Sequence, residues 1–157
     1  MANLNDTVVS TLCRRFDAFL HQSRSLCASV SEQEFWTKPY PYGNSIGHLL
    51  LHVTGNLNYY IGTQIAGTGY VRDRDREFTD ASRRPKADVV ADLSAAVAMV
   101  QTTIKSQSAE DWTREYVANG TDETDRFGMV FRCAHHFHHH LGQIIYLVRE
   151  HVERRPQ

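Results

Sequence analysis

Apolar residues recur along this chain with the period of an amphipathic α-helix in four places. From about Leu4 to Val30, Leu4, Val8, Val9, Leu12, Phe16, Phe19, Leu20 and Leu26 fall on a 3.6-residue repeat, with Asn5 or Asp6 available as a cap. A second helix is predicted from about Ile46 to Ile65, capped by Asn44 or Ser45, with Ile46, Leu49, Leu50, Val53, Leu57, Tyr60 and Ile61 on one broad face. A third, from about Ala87 to Ser106, carries Val89, Val90, Leu93, Ala96, Val97, Val100 and Ile104 as its stripe. It contains no histidine or cysteine, and its small alanines suit close packing. The fourth runs from about Arg126 to Glu153. Its stripe passes through Met129, Cys133, His136, His140, Gln143 or Ile144, and Leu147.

The segments between are of three kinds. Trp36-Thr37-Lys38-Pro39-Tyr40-Pro41-Tyr42-Gly43-Asn44 is too rich in proline and aromatics for a helix or a free linker. It reads either as a lid over the bundle end or as the lining of a pocket. Val71-Arg72-Asp73-Arg74-Asp75-Arg76-Glu77-Phe78 alternates in charge. It reads mainly as a solvated connection; the other reading is a loop at a site mouth, where Arg72 or Arg74 offers its guanidinium to an anionic substrate group. Between Gln107 and Asp125, Trp112, Tyr116 and Val117 suggest a short extended or hairpin-like piece, and Asn119-Gly120 a turn.

With 157 residues and 41% apolar content, the chain is expected to form one domain, residues 1–157, around one core. A formal net charge of −1 gives no general electrostatic reason to expect nucleic acid or an acidic membrane as partner. No uninterrupted apolar run approaches the length of a membrane span, and the start has no secretory character. Cys13, Cys27 and Cys133 are an odd count without paired spacing, as free thiols in a reducing cytoplasm would be.

The chemistry concentrates in His135-His136-Phe137-His138-His139-His140, which holds five of the nine histidines. Neutral imidazole is the commonest transition-metal ligand. His136 and His140 are one turn apart on the apolar stripe, where unpartnered imidazoles would be costly. His138 points the other way, His135 lies off the stripe and His139 beside it. On the second helix His52 lies just past the edge of the apolar face, roughly 120° from its centre, and His48 further toward the polar side. Two histidines from one helix and one from another make a three-nitrogen site with positions left open. Cys133, one turn before His136, is an alternative fourth ligand, with plain packing preferred. A carboxylate should orient the imidazoles, but the sequence does not single one out.

The segments Ser45-Ile46-Gly47-His48-Leu49-Leu50-Leu51-His52 and His136-Phe137-His138-His139-His140-Leu141-Gly142-Gln143-Ile144 resemble the two signature regions of the DinB-like superfamily. Its pattern is a histidine in the second helix and His-x-x-x-His shortly before Gly-Gln in the last, which falls on His52, His136 and His140. The Arg usual before Gly-Gln is Leu141 here. The resemblance implies an all-α four-helix bundle of up-down-down-up topology, with long loops between helices 1-2, 2-3 and 3-4. It also implies a divalent metal on the triad, often zinc or nickel, and frequent homodimers. Characterised relatives include thiol-dependent transferases and isomerases, so a small-molecule substrate and a low-molecular-weight thiol are expected partners. Three functions stay open: a metal-dependent S-transferase or hydrolase with no catalytic residue yet assigned, a non-catalytic metal-binding or stress-response bundle, and a structural dimer.

Overall fold

A computed structural model describes residues 3–155 and is helical throughout, with an isolated Glu115–Asp125 bridge as its sole β pairing among those residues. Four longer helices form the frame: α1 (Leu4–Ala28), α3 (Ile46–Leu57), α5 (Lys86–Lys105) and α7 (Arg126–Glu153). Each starts close to where the apolar period begins. Side chains of Asn3, Ser45 and Asp125 accept backbone N–H groups in the first turns of α1, α3 and α7, meeting donors that the helix itself leaves unpaired. Packing closes a ring in which α1 neighbours α5 and α7, and α3 neighbours the same two. Phe16, Ile46, Leu50, Leu93, Val97, Val100, Phe137 and Ile144 meet inside it, almost wholly removed from water.

The connections carry three short helices: α2 (Glu32–Trp36), α4 (Arg76–Thr79) and α6 (Ala109–Trp112). The hairpin-like reading of 112–125 holds in part. Tyr116 N–H donates to the Thr124 carbonyl and Arg126 N–H to that of Arg114, around a turn in which Gly120 has φ +82°. Trp112 itself ends α6 and is buried, its indole N–H donating to Asn5 Oδ1 at 2.8 Å.

The second predicted helix differs in its final turns. After Leu57 the chain widens into a π-helical segment, Asn58–Thr63, in which Gln64 N–H reaches back five residues to the Tyr59 carbonyl. Such widened turns recur at functional sites. Here it sets Tyr59 and Tyr60 side by side, with ring centroids 4.9 Å apart. The burial of α3 also differs from the wheel. Every residue of this helix except Leu51 is buried, His48 included. The reason is tertiary: Trp36 and the segment leading to Asp80 cover the face that the pattern assigned to solvent. Gly47 permits that cover, because a Cβ there would stand 2.5 to 2.8 Å from the Trp36 ring. Trp36 is thus packed onto the bundle, while Tyr40 and Tyr42 stay exposed.

Although no unbroken apolar run suggests a span, α5 is long and apolar enough by length and composition to cross a membrane. Its stripe from Val89 to Ile104 is buried against α1 and α3, as befits a core helix.

Candidate metal centre

On α7 the fully buried row is Met129, Val130, Cys133, Ala134, Phe137, Leu141, Ile144 and Val148. The core is therefore centred on Phe137 and Leu141, and His136 and His140, which the helical period places on the apolar stripe, stand half-buried at its edge. Large apolar residues took the centre, leaving the imidazoles where a small molecule can reach them. His135, His138 and His139 are exposed. They stay outside the site, His138 stacking on Phe19 and His135 against Phe131.

Helix α3 faces α7 and brings His52 to the pair. His52 Nε2 lies 3.0 Å from His136 Nε2, and His140 Nε2 lies 3.1 Å from the same atom. Among the described residues this is the group of three whose ligand atoms could share a metal ion, all within 4.8 Å of one another. Cys133 is outside the group. Burial pushes its thiol up to about 12, as expected of a packed, protonated side chain.

The outer nitrogens decide the tautomers. His52 Nδ1 is 2.7 Å from Glu77 Oε2, so Nδ1–H donates to the carboxylate and Nε2 carries a lone pair. Glu77 is in turn held by Arg72, whose Nε donates to Oε1 at 2.7 Å and Nη2 to Oε2 at 2.9 Å. Arg72 Nη2 also lies 3.3 Å from His52 Nδ1, but a protonated Nδ1 cannot accept it, and the two shorter carboxylate bonds account for this guanidinium. His140 Nδ1 is 2.7 Å from Gln143 Oε1 and donates to it, which likewise leaves a lone pair on Nε2. His136 Nδ1 is buried without a partner.

Two lone pairs thus face His136 Nε2, which holds one proton at most. A protein-only network leaves at least one close nitrogen pair with no hydrogen between its atoms. Adding a proton is disfavoured. Burial foremost, then the neighbouring imidazoles and arginines, pull His136 down to about 3, and burial above all pulls His140 to about 4. Three imidazoles whose Nε2 atoms converge, one backed by a carboxylate, are the donor set of a borderline transition-metal ion. The residues fit such an ion, and its binding would resolve the clash of lone pairs.

His48, four residues before His52, is closed. Its Nδ1 accepts the Ser45 hydroxyl at 2.7 Å, and its Nε2–H donates to the Asp80 carbonyl at 3.3 Å. Trp36 packs edge-on against its ring. Burial holds its pKa below the usual imidazole range. It is a neutral structural residue that fastens the 77–80 segment to α3.

The acidic residue that sequence reasoning could not name is Glu77, and the loop expectation is corrected with it. Asp73, Arg74 and Asp75 are solvated as expected. Arg72 and Glu77 are not: their side chains are only 8% and 6% exposed. Glu77 lies against α3 at Gly55, where a Cβ would collide with Oε1. A glycine one turn after His52 was the available signal that something approaches the helix there. Beside His52 and His136 opens a cavity of about 570 Å3, which reaches Asn56, Tyr60, Arg74 and Arg132.

Similarities to known proteins agree with this architecture. No curated protein matches the chain. A solved structure, that of a conserved protein from Enterococcus faecalis, superposes with a TM-score of 0.74 over 89% of this chain and 94% of that one. At 18% identity the likeness concerns the fold alone. The family model described as the DinB superfamily matches residues 15–144, a span that takes in α3, the Arg72–Glu77 loop and the α7 histidines, and the chain belongs to that superfamily.

Proposed function

We propose that this protein is a metal-dependent enzyme in which His52, His136 and His140 hold one divalent cation, zinc or nickel, and in which a thiol or water attacks a small electrophile. The observation that carries the reading is the convergence of three imidazole Nε2 atoms whose tautomers leave too few protons to hydrogen-bond one another. Superfamily membership is compatible with a metal-binding protein. The accompanying reading of the whole molecule is an up-down-down-up bundle that forms homodimers and works in the cytoplasm.

The chain's own residues have separable tasks. Glu77 fixes the orientation of the His52 ring, and Arg72 holds the Glu77 carboxylate in place. Gln143 does for His140 what Glu77 does for His52, without the charge. The cavity admits a substrate of limited size to the open side of the cluster. A cation held there supplies Lewis acidity, lowering the pKa of a nearby thiol or water toward neutrality. The cavity favours catalysis over storage or buffering, the alternative, because a closed four-ligand site would leave no room for a substrate. Cys133, buried and protonated, does not close it.

The test is elemental analysis of untagged protein purified without a metal-affinity column. We expect about one metal per chain, lost when His52, His136 and His140 are all changed to alanine, and lost from His136→Ala or His140→Ala without unfolding of the bundle. Full retention in both single variants would sink the assignment. Native protein that carries no metal and takes up neither Zn²⁺ nor Ni²⁺ would sink the enzyme reading itself.

A further inference from the structure

The cavity beside the histidine cluster contains a positive charge that nothing in the fold explains. Three arginines line it, Arg72, Arg74 and Arg132, and no carboxylate does. Arg72 is accounted for by Glu77. Arg132 has no such partner. Among the described residues it makes no ion pair, and its Nη1 is buried without any hydrogen bond. The acid Glu123 lies against Gly128 at the start of α7, and among the described residues no ion pair joins it to Arg132. What holds the Arg132 guanidinium in place is the Tyr60 ring, 5.5 Å from its carbon, and the Arg72 guanidinium lies 5.8 Å from the same ring.

A partly buried guanidinium without a counter-ion is costly, the more so with a second cation at the same aromatic ring. Tyr60 offsets a little of that cost through its π face. Its hydroxyl is engaged with the carbonyls of Asn119 and Gly120, 3.2 Å from each, so it helps to shape the cavity and does not neutralise it. Arg74 is exposed at the mouth, its guanidinium 5.9 Å from the Phe78 ring, and the neighbouring Phe78 packs on His52. Asn56 Oδ1 is buried in the same wall and also lacks a partner, so a donor on the ligand could meet it.

We propose that this cavity is an anion subsite, in which Arg132, assisted by Arg74, binds a carboxylate or phosphate group of the substrate beside the histidine cluster. The substrate class follows: a small anionic molecule, with its reacting atom toward His52 and His136 and its charged group toward Arg132. Guanidinium groups suit both anions because their paired N–H donors match two oxygens at once. The use of the subsite in a reaction rests on the metal-site reading above; the binding of the anion does not.

Metal-stripped protein therefore gives the test, by isothermal titration calorimetry with inorganic phosphate and, separately, succinate. We expect saturable binding of at least one of them. Arg132→Gln should weaken it by about tenfold or more, and Arg74→Gln by a smaller factor. Arg14→Gln, exposed on α1 and outside the cavity lining, should leave it unchanged. Tighter binding of phosphate marks a phosphorylated substrate, and tighter binding of succinate a carboxylate one. Wild-type affinity in Arg132→Gln, or no binding of either anion by wild type, overturns the proposal. Loss in His140→Ala with retention in Arg132→Gln overturns it as well, by placing the anion on the histidines. If Arg132→Gln fails to fold, as judged by circular dichroism, Arg74→Gln decides, and undiminished affinity there overturns the shared subsite. Metal content of Arg132→Gln should equal that of wild type, which separates failure of this subsite from failure of the metal centre.

Discussion

His48 and His52 sit one turn apart on α3, and both are buried, yet their surroundings differ in kind. Both ring nitrogens of His48 are satisfied by the protein, one by the Ser45 hydroxyl and the other by the Asp80 carbonyl. His52 has one nitrogen satisfied, by Glu77, and presents the other to two more imidazoles. Burial alone therefore does not separate a structural histidine from a ligand. The balance of donors and acceptors does. A ring with both nitrogens met has nothing left for a ligand, whereas a lone pair that faces other lone pairs calls for a cation.

The sharpest way to break the comparison is Glu77→Gln. The amide oxygen can still accept His52 Nδ1–H, so the tautomer survives, but the charge is removed and the amide NH2 that replaces Oε1 faces the Arg72 Nε–H donor. Arg72, with a side chain 8% exposed, then loses its counter-ion. Stranding one member of a buried pair costs about 3–5 kcal/mol, which should lower the melting temperature by about 10 °C. Metal affinity should fall by about 10–100-fold as the supporting carboxylate goes. Calorimetric melting and competition with a chelator read the two effects separately. Wild-type values in both would mean that Glu77 supports neither the loop nor His52.

Much of this arrangement was legible in the sequence, and what was not has a common cause. His136 and His140 could be placed on one stripe because helical spacing converts position into direction. The same geometry preferred His52 to His48. It failed where direction is set by tertiary packing. It put His48 toward solvent, without knowing that Trp36 and the 77–80 segment would cover that face. It put His136 and His140 on the apolar stripe, among core residues, whereas Phe137 and Leu141 fill the core and the two imidazoles stand half-buried. Glu77 and Arg72 lie in a segment with no periodicity, and alternating charges look alike whether solvated or buried. Arg132 falls on α7 outside any apolar stripe, and only the closure of α3 onto α7 gives it a cavity to line.

A smaller perturbation tests the same support from the helix side. Gly55→Ala adds a methyl group where Glu77 Oε1 now lies, so the carboxylate must withdraw. Arg72 can follow it, so the ion pair need not break. We expect a loss of about 1–3 kcal/mol, the usual range for overfilling a packed site. Metal affinity should fall about tenfold, through the displaced His52 partner. A Gly55→Ala protein that binds metal as wild type would show that His52 tolerates an unanchored ring.

The gentlest test falls on the closed side. His48→Gln should cost about 1 kcal/mol, because it removes hydrogen bonds that belong to the fold and not to the cluster. Metal content should not change; a large loss would make His48 part of the site and undo the distinction drawn above. Its pH dependence carries a sign. His48 is held below its ordinary value of 6.5, first by burial and also by Lys38 and Arg83, against the opposing pull of Asp80. A depressed folded pKa means that the neutral ring stabilises the native state fully above pH 6.5, and that this contribution is lost as pH falls through the folded value. Wild type should thus exceed His48→Gln in stability at pH 7.5, and the gap should narrow as pH falls below 6.5. Urea unfolding at pH 7.5 and at pH 5 measures it. A gap that widens toward acid would mean that His48 is charged in the fold, with Nδ1–H donating to the Ser45 hydroxyl while Nε2–H keeps its bond to the Asp80 carbonyl.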